Sequence, residues 1–177
     1  MRWKSGFIGS LVLIVVSSVV STLARADNSP DVCGAVQAAF MTATNSQDTV
    51  YPKEVRAASD LSTTSTWHFE KFTDAMVADW QLREGELSDL ASQENKYAST
   101  NFRPDCAWKG SPKSVMDDND PMWVEFGNPV FSSDLRLAMV SVSFFDSGGG
   151  IWGYGETCVL RKVDDKWAGR CFAGWIR

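Results

Sequence analysis

ETCVLRKVDDKWAGRCFA, Glu156 to Ala173, is the stretch whose reading decides the fold. Glu156 to Val163 and Lys166 to Ala173 are predicted as two strands around Asp164-Asp165, residue types that tolerate turn backbone. Pairing Val163 with Lys166 fixes the register, and counting outward from the turn sets Cys158 opposite Cys171. The alternation makes theirs a non-hydrogen-bonded pair, with Cα atoms about 4.5 Å apart. That spacing lies at the near end of what a disulfide accepts. Cys158–Cys171 is therefore expected as one bridge, which leaves Cys33 and Cys106 for a second. The second bridge ties the N-terminal segment to the middle of the chain and closes a loop of about 70 residues, worth roughly 4 kcal/mol by loop-closure entropy.

Upstream of the hairpin the sequence keeps a period of two. Ile151 to Tyr154 leads into the first hairpin strand, and Ser147-Gly148-Gly149-Gly150 forms a turn, since glycine adopts φ > 0 freely. Leu135 to Phe145 carries Ala138, Val140, Val142 and Phe144 on one face. Ser132-Ser133-Asp134 is a turn after a short segment ending at Phe131, and Met122 to Phe126 alternates again. These strands make a four-stranded antiparallel meander.

The N-terminal half reads differently. Ser29-Pro30-Asp31 before Val32, Val36, Ala39 and Phe40 predicts a capped amphipathic helix that ends in the polar stretch Thr42 to Asp48. Thr49 to Thr66, rich in β-branched residues, is expected to hold one or two short strands. Trp67 to Leu82 spaces Phe69, Phe72, Met76 and Trp80 near helical period, and Glu86 to Tyr97 continues as a second helical stretch with Leu87 and Leu90 on one side. Asn101 to Pro121 is an ordered loop pinned by Cys106. Helices packed on one face of an antiparallel sheet give an α+β fold with two disulfides.

The first 26 residues set the compartment. Arg2 and Lys4 precede the apolar and small-residue run Phe7 to Val20, and Ala24-Arg25-Ala26 is a small-x-small site before Asp27. Residues 1–26 are thus expected to be a signal peptide and residues 27–177 a single α+β domain. The apolar run falls short of the roughly 20 residues that span a bilayer, so no membrane anchor is expected after processing. No cysteine directly follows the cleavage site, which argues against a lipoprotein. All four cysteines lie in the mature part, an even number suited to an oxidising compartment, periplasmic or secreted.

Cleavage removes Arg2, Lys4 and Arg25 from 17 basic residues and none of the 22 acidic ones, so 14 basic residues remain and the net charge is −8. Such a surface repels phosphate backbones, which excludes nucleic acid and anionic headgroups as natural partners and favours a basic envelope protein. Mature length of about 150 residues and the 44% apolar content suffice for one real core.

Chemistry-bearing motifs are sparse. No Gly-x-Ser-x-Gly elbow, Ser-x-x-Lys pair, His-Glu-x-x-His helix or Cys-x-x-Cys occurs. His68, the one histidine, is the sole neutral-pH base. A carboxylate such as Glu125 or Asp74 would complete a small-ligand or catalytic pocket with it, although a lone histidine among aromatics reads first as a packed residue. Asp117-Asp118-Asn119-Asp120 lacks the glycine and the closing glutamate of a calcium loop, and Gly148-Gly149-Gly150 precedes a strand rather than a phosphate-binding helix. No cofactor and no metal site is expected. Most of the seven tryptophans that remain after processing should be core. Trp152 and Tyr154, flanking glycine beside a loop, also read as interface anchors.

Asn128-Pro129-Val130-Phe131-Ser132, Ala138 to Ser143, Gly153-Tyr154-Gly155 and Val163-Asp164-Asp165-Lys166-Trp167 resemble the C-terminal third of uncharacterised bacterial exported proteins with a PVFS…GxG…DGKW-type sheet. That resemblance implies a shared sheet and no activity. The last strands also look distantly like those of nuclear transport factor 2-like domains, which implies a curved sheet with helices enclosing a pocket. Size, acidity, disulfides and absent catalytic motifs together point to a periplasmic interaction protein, such as an inhibitor or immunity protein of a cationic cell-wall enzyme or toxin. A nuclear transport factor 2-like ligand-binding protein or enzyme is the alternative, and a structural envelope component the third.

Overall fold

The computed structural model describes residues 30–58, 69, 72–97, 101–115, 122–146 and 152–176. Residues 1–26, expected to be a signal peptide, His68, the acidic run 117–120 and the glycines 148–150, expected to form a turn, lie outside the described residues. In chain order the elements are α1 (Pro30–Ala43), β1 (Val50–Pro52), β2 (Val55–Arg56), α2 (Asp74–Asp79), α3 (Glu86–Tyr97), β3 (Ser111–Lys113), β4 (Met122–Phe126), β5 (Val130–Phe131), β6 (Leu137–Asp146), β7 (Trp152–Val163) and β8 (Lys166–Ile176). Helices beside a largely antiparallel sheet make this an α+β fold.

The C-terminal hairpin folds in the predicted register. Val163 pairs with Lys166 and Cys158 with Cys171, and Asp164 and Asp165 both have positive φ, 47° and 58°. That is the backbone of a type I′ turn, whose twist matches that of the flanking strands. Cys158 and Cys171 are bonded with Cα atoms 3.9 Å apart, and Cys33 and Cys106 form the second disulfide at 5.5 Å. The two cross-links are those of a protein built for an oxidising compartment.

The expected meander β4-β6-β7-β8 is present, but it is part of a larger sheet. β2 adds in parallel beside β4, so that the order is β2-β4-β6-β7-β8, and β5 pairs β6 off this path. β1 and β3 form a separate parallel pair, with β3 inside the stretch expected to be loop. These added strands have two or three residues each. β1 and β2 lie in the stretch expected to hold one or two short strands, but segments this short carry too little alternation to show their pairing: β1 and β2 pair in parallel with the distant β3 and β4, and β5 pairs antiparallel with β6.

Helices cover both faces of the sheet rather than one. On the first face Val32, Ala35, Val36, Ala39 and Phe40 of α1 pack against Ala138, Val140, Val142, Phe144, Cys158 and Leu160. On the second, Leu137, Met139 and Val159 meet Phe69, Trp80, Leu82 and Leu90 from the α2 and α3 region. Strand β6 is consequently buried along almost its whole length on both sides, the condition under which a strand becomes a near-continuous apolar run.

The helix expected from Trp67 to Leu82 is a single short α2 within the described residues. Thr73 caps it, its Oγ1 accepting from the Met76 N–H at 3.3 Å. The helical spacing of Phe69, Phe72 and Trp80 instead builds an aromatic cluster with edge-to-face contacts at 5.3 and 4.8 Å. Rings gathered by a turn mimic helical period. Glu86 to Tyr97 is helical throughout, as expected.

Arg161 of β7 fixes α3 to the sheet. Its Nη1 and Nη2 donate to the two Glu86 carboxylate oxygens at 2.5 and 2.8 Å, and Nη2 also donates to the Gln81 carbonyl at 2.8 Å. No helix among the described residues is long and apolar enough to cross a membrane.

Candidate functional site

Alternation along β7 places Trp152, Tyr154 and Glu156 on the face that also carries Phe144 and Val142, at the sheet end away from the disulfide hairpin turn. The Tyr154 ring stacks on Phe144 with centroids 4.7 Å apart and is half-buried. Trp152 leans on Tyr154 at 6.2 Å, yet 45% of it is exposed. An indole this exposed is rare here: the other exposed large apolar residues among those described are Leu135 and Val163, both beside turns.

Carboxylates accompany the aromatics. Asp146 is the cross-strand partner of Trp152, and Glu156 follows Tyr154 on the same face. Partial burial raises the Glu156 carboxyl above its ordinary value, and burial followed by the nearby Glu156 charge raises the Tyr154 hydroxyl. A partly desolvated carboxylate next to Tyr154, on a face that also carries the exposed Trp152 ring, is the chemistry that receives a lysine or arginine, by charge pairing and by cation–π contact. The Trp152 and Tyr154 rings are in contact on this face. Glu156 was not singled out from the sequence, although the alternation that joins Trp152 to Tyr154 places it two residues further on the same face.

The residues of the alternative pocket fall into unlike environments. Asp74 is exposed in the first turn of α2, whereas Glu125 on β4 is 3% exposed. The Trp123 Nε1 donates to Glu125 Oε1 at 3.0 Å, and Arg56 lies over the Trp123 ring at 3.9 Å. Ser143 is the cross-strand partner of Glu125 on the second sheet face; it is fully buried, and its Oγ has no hydrogen-bond partner. Ser143 escaped the sequence reading because a serine in an apolar strand carries no pattern of its own. Among the described residues no three His, Cys, Asp or Glu side chains are grouped to hold a metal ion.

Two surface grooves lie apart from these residues, toward the end of the sheet that carries the β7–β8 turn. One, of about 630 Å³, lies between the start of α3 and the turn after β5, around the Arg161–Glu86 pair. The other, of about 930 Å³, runs between α1 and the first residues of β8. No protein-family model, no curated protein and no solved structure matches this chain.

Proposed function

We propose that this chain is an exported interaction protein of the periplasm, cut after Ala26, whose Trp152, Tyr154 and Glu156 face binds a cationic cell-wall enzyme or toxin in the manner of an inhibitor or immunity protein. The observation that carries the reading is the exposed Trp152 ring held on Tyr154 beside a half-buried carboxylate. Hot spots combine such an aromatic anchor with a desolvated polar partner. The net charge of −8 after processing would steer a basic partner into encounter.

The test is a pull-down from envelope extract with the processed chain and its variants. Trp152→Ala and Tyr154→Ala should each raise the dissociation rate of the retained partner, by a factor equivalent to about 2 kcal/mol or more for a hot spot. Association should slow steeply with salt, because charge steering is screened once the Debye length falls to ~10 Å at 0.1 M. His68→Ala should change neither rate. Failure to retain any basic partner removes this reading.

A second reading rests on the buried Glu125 beside the unpartnered Ser143 hydroxyl. An orphaned buried hydroxyl next to a buried carboxylate suits a small polar ligand, as in a nuclear transport factor 2-like pocket. Loss of a measured ligand affinity or turnover in both Glu125→Gln and His68→Ala would support it, with Trp152→Ala unaffected.

A further inference from the structure

β8 is the terminal strand of the six-stranded sheet and pairs with β7 alone. Its two-residue turn makes Val163 and Lys166 a hydrogen-bonded pair, and the pattern alternates from there. Lys166, Ala168, Arg170 and Phe172 consequently bond inward to β7. Trp167, Gly169, Cys171 and Ala173 point their N–H and C=O groups away from the sheet, and these groups find no other backbone partner. Ala168, Gly169, Arg170, Ala173 and Gly174 are exposed. For residues with little or no side chain, exposure means that the backbone itself is open.

Natural edges are usually shortened, bulged or covered. This one runs in unbroken register from Lys166 to Ala173, and the irregularity comes only beyond it, opposite Gly155/Glu156. The groove of about 930 Å³ lies along its first residues, Lys166 to Gly169, with α1 as the opposite wall. Gly34 and Ala38 of α1 and Ala168 and Gly169 of β8 keep that groove wide, and the half-buried Trp167 ring lies against Gly34. Gln37 holds the wall in place by donating to the Val50 and Lys109 carbonyls at 3.0 and 2.7 Å.

Charge in the groove runs against that of the chain. Lys162 is neutralised by Asp31. Lys109 and Lys166 make no ion pair, and Asp165 alone opposes them. A groove of net positive charge in a chain of net charge −5 selects an acidic occupant.

We propose that the β8 edge and the α1 wall form a peptide-binding groove that takes an extended segment of a partner, bearing acidic side chains, as an added strand. Main-chain hydrogen bonds to Trp167, Gly169, Cys171 and Ala173 supply affinity, and alternate side chains of the segment enter the groove or face solvent. The site is distinct from the Trp152 face and does not depend on it.

The probe is a fluorescent eight-residue peptide alternating glutamate and valine, read by anisotropy on the processed chain, with amide exchange followed by NMR. The peptide should bind, and the fast-exchanging outward amides of Gly169 and Cys171 should become protected. A strand adds through one edge only. N-methylation of one alternate set of peptide nitrogens should abolish binding, and methylation of the other set should spare it. The double reversal Lys109→Glu with Lys166→Glu should weaken binding by about tenfold or more, whereas Trp152→Ala should leave it unchanged. The proposal is overturned if the peptide does not bind at millimolar concentration, if both methylated forms bind like the parent, if the charge reversal leaves affinity unchanged, or if the outward amides are already protected in the free protein.

Discussion

Glu156 is pulled in two directions by its position. Desolvation raises its carboxyl pKa above the ordinary value of 4.5, so the folded protein holds that proton more tightly than the unfolded chain does. Stability from this group is thus fully present below the unfolded pKa and is lost as pH rises through the higher folded value. Glu156→Gln should raise the melting temperature near neutral pH and lose that advantage below pH 4.5, as thermal scans across pH will show. The same variant should weaken binding of a basic partner, a fold-for-function conflict of the kind that marks binding sites. Glu86 has the opposite sign. Hydrogen bonds from Arg161 hold its carboxyl below 4.5, so its contribution is present above that pH and fades as pH falls through the folded value. Arg161→Met should cost about 1–2 kcal/mol at neutral pH, given a charge-assisted pair that is only partly shielded from water. In denaturant titrations the deficit should shrink in acid.

At the scale of elements the β7–β8 hairpin is the clearest case. Its turn places two aspartates at positive φ, which aspartate tolerates and glycine adopts without steric cost. Asp165→Gly should therefore stabilise the fold by about 0.5–1 kcal/mol, measured as a shift in the denaturant midpoint at constant slope. The hairpin was legible because register follows from one pair and the cysteines confirm it by facing each other. The first-face set Ala138, Val140, Val142 and Phe144, together with Val32, Val36, Ala39 and Phe40 of α1, was legible from period alone, and all eight are buried in one cluster. Leu137 and Met139 were not recognised as a second core surface, because a strand apolar on both sides shows no alternation to read. β1 and β2 fall in the Thr49 to Thr66 stretch expected to hold one or two short strands, and β5 in the short segment ending at Phe131, but two or three residues are too few to show which strand they pair with. At the candidate site, Trp152 and Tyr154 stood out by their glycine neighbours, whereas Ser143 became visible only when Glu125 appeared across the strand from it.

Across the whole molecule the two disulfides do unequal work. Cys158–Cys171 joins residues 13 apart that the hairpin already holds in register, whereas Cys33–Cys106 spans 73 residues and ties α1 to the segment before β3. Closing the shorter loop in the unfolded chain is worth about 2.9 kcal/mol and the longer about 4.4 kcal/mol by the entropy relation, a difference of about 1.5 kcal/mol. Packing adds to that difference. α1 supplies Val32, Val36, Ala39 and Phe40 to the larger core, and its first turn is otherwise fastened by the Asp31–Lys162 pair and by Gly34 against the Trp167 ring. Releasing Cys33 frees the helix that packs on the first face, whereas releasing Cys158 and Cys171 leaves a ten-residue β6–β7 ladder intact on the other side of the strand. The double variant Cys33→Ser with Cys106→Ser should therefore unfold at lower denaturant than Cys158→Ser with Cys171→Ser, each compared with the parent by equilibrium titration. The reverse order would mean that the hairpin register depends on its disulfide, and that the β8 edge is held open by that bond rather than by the ladder to β7.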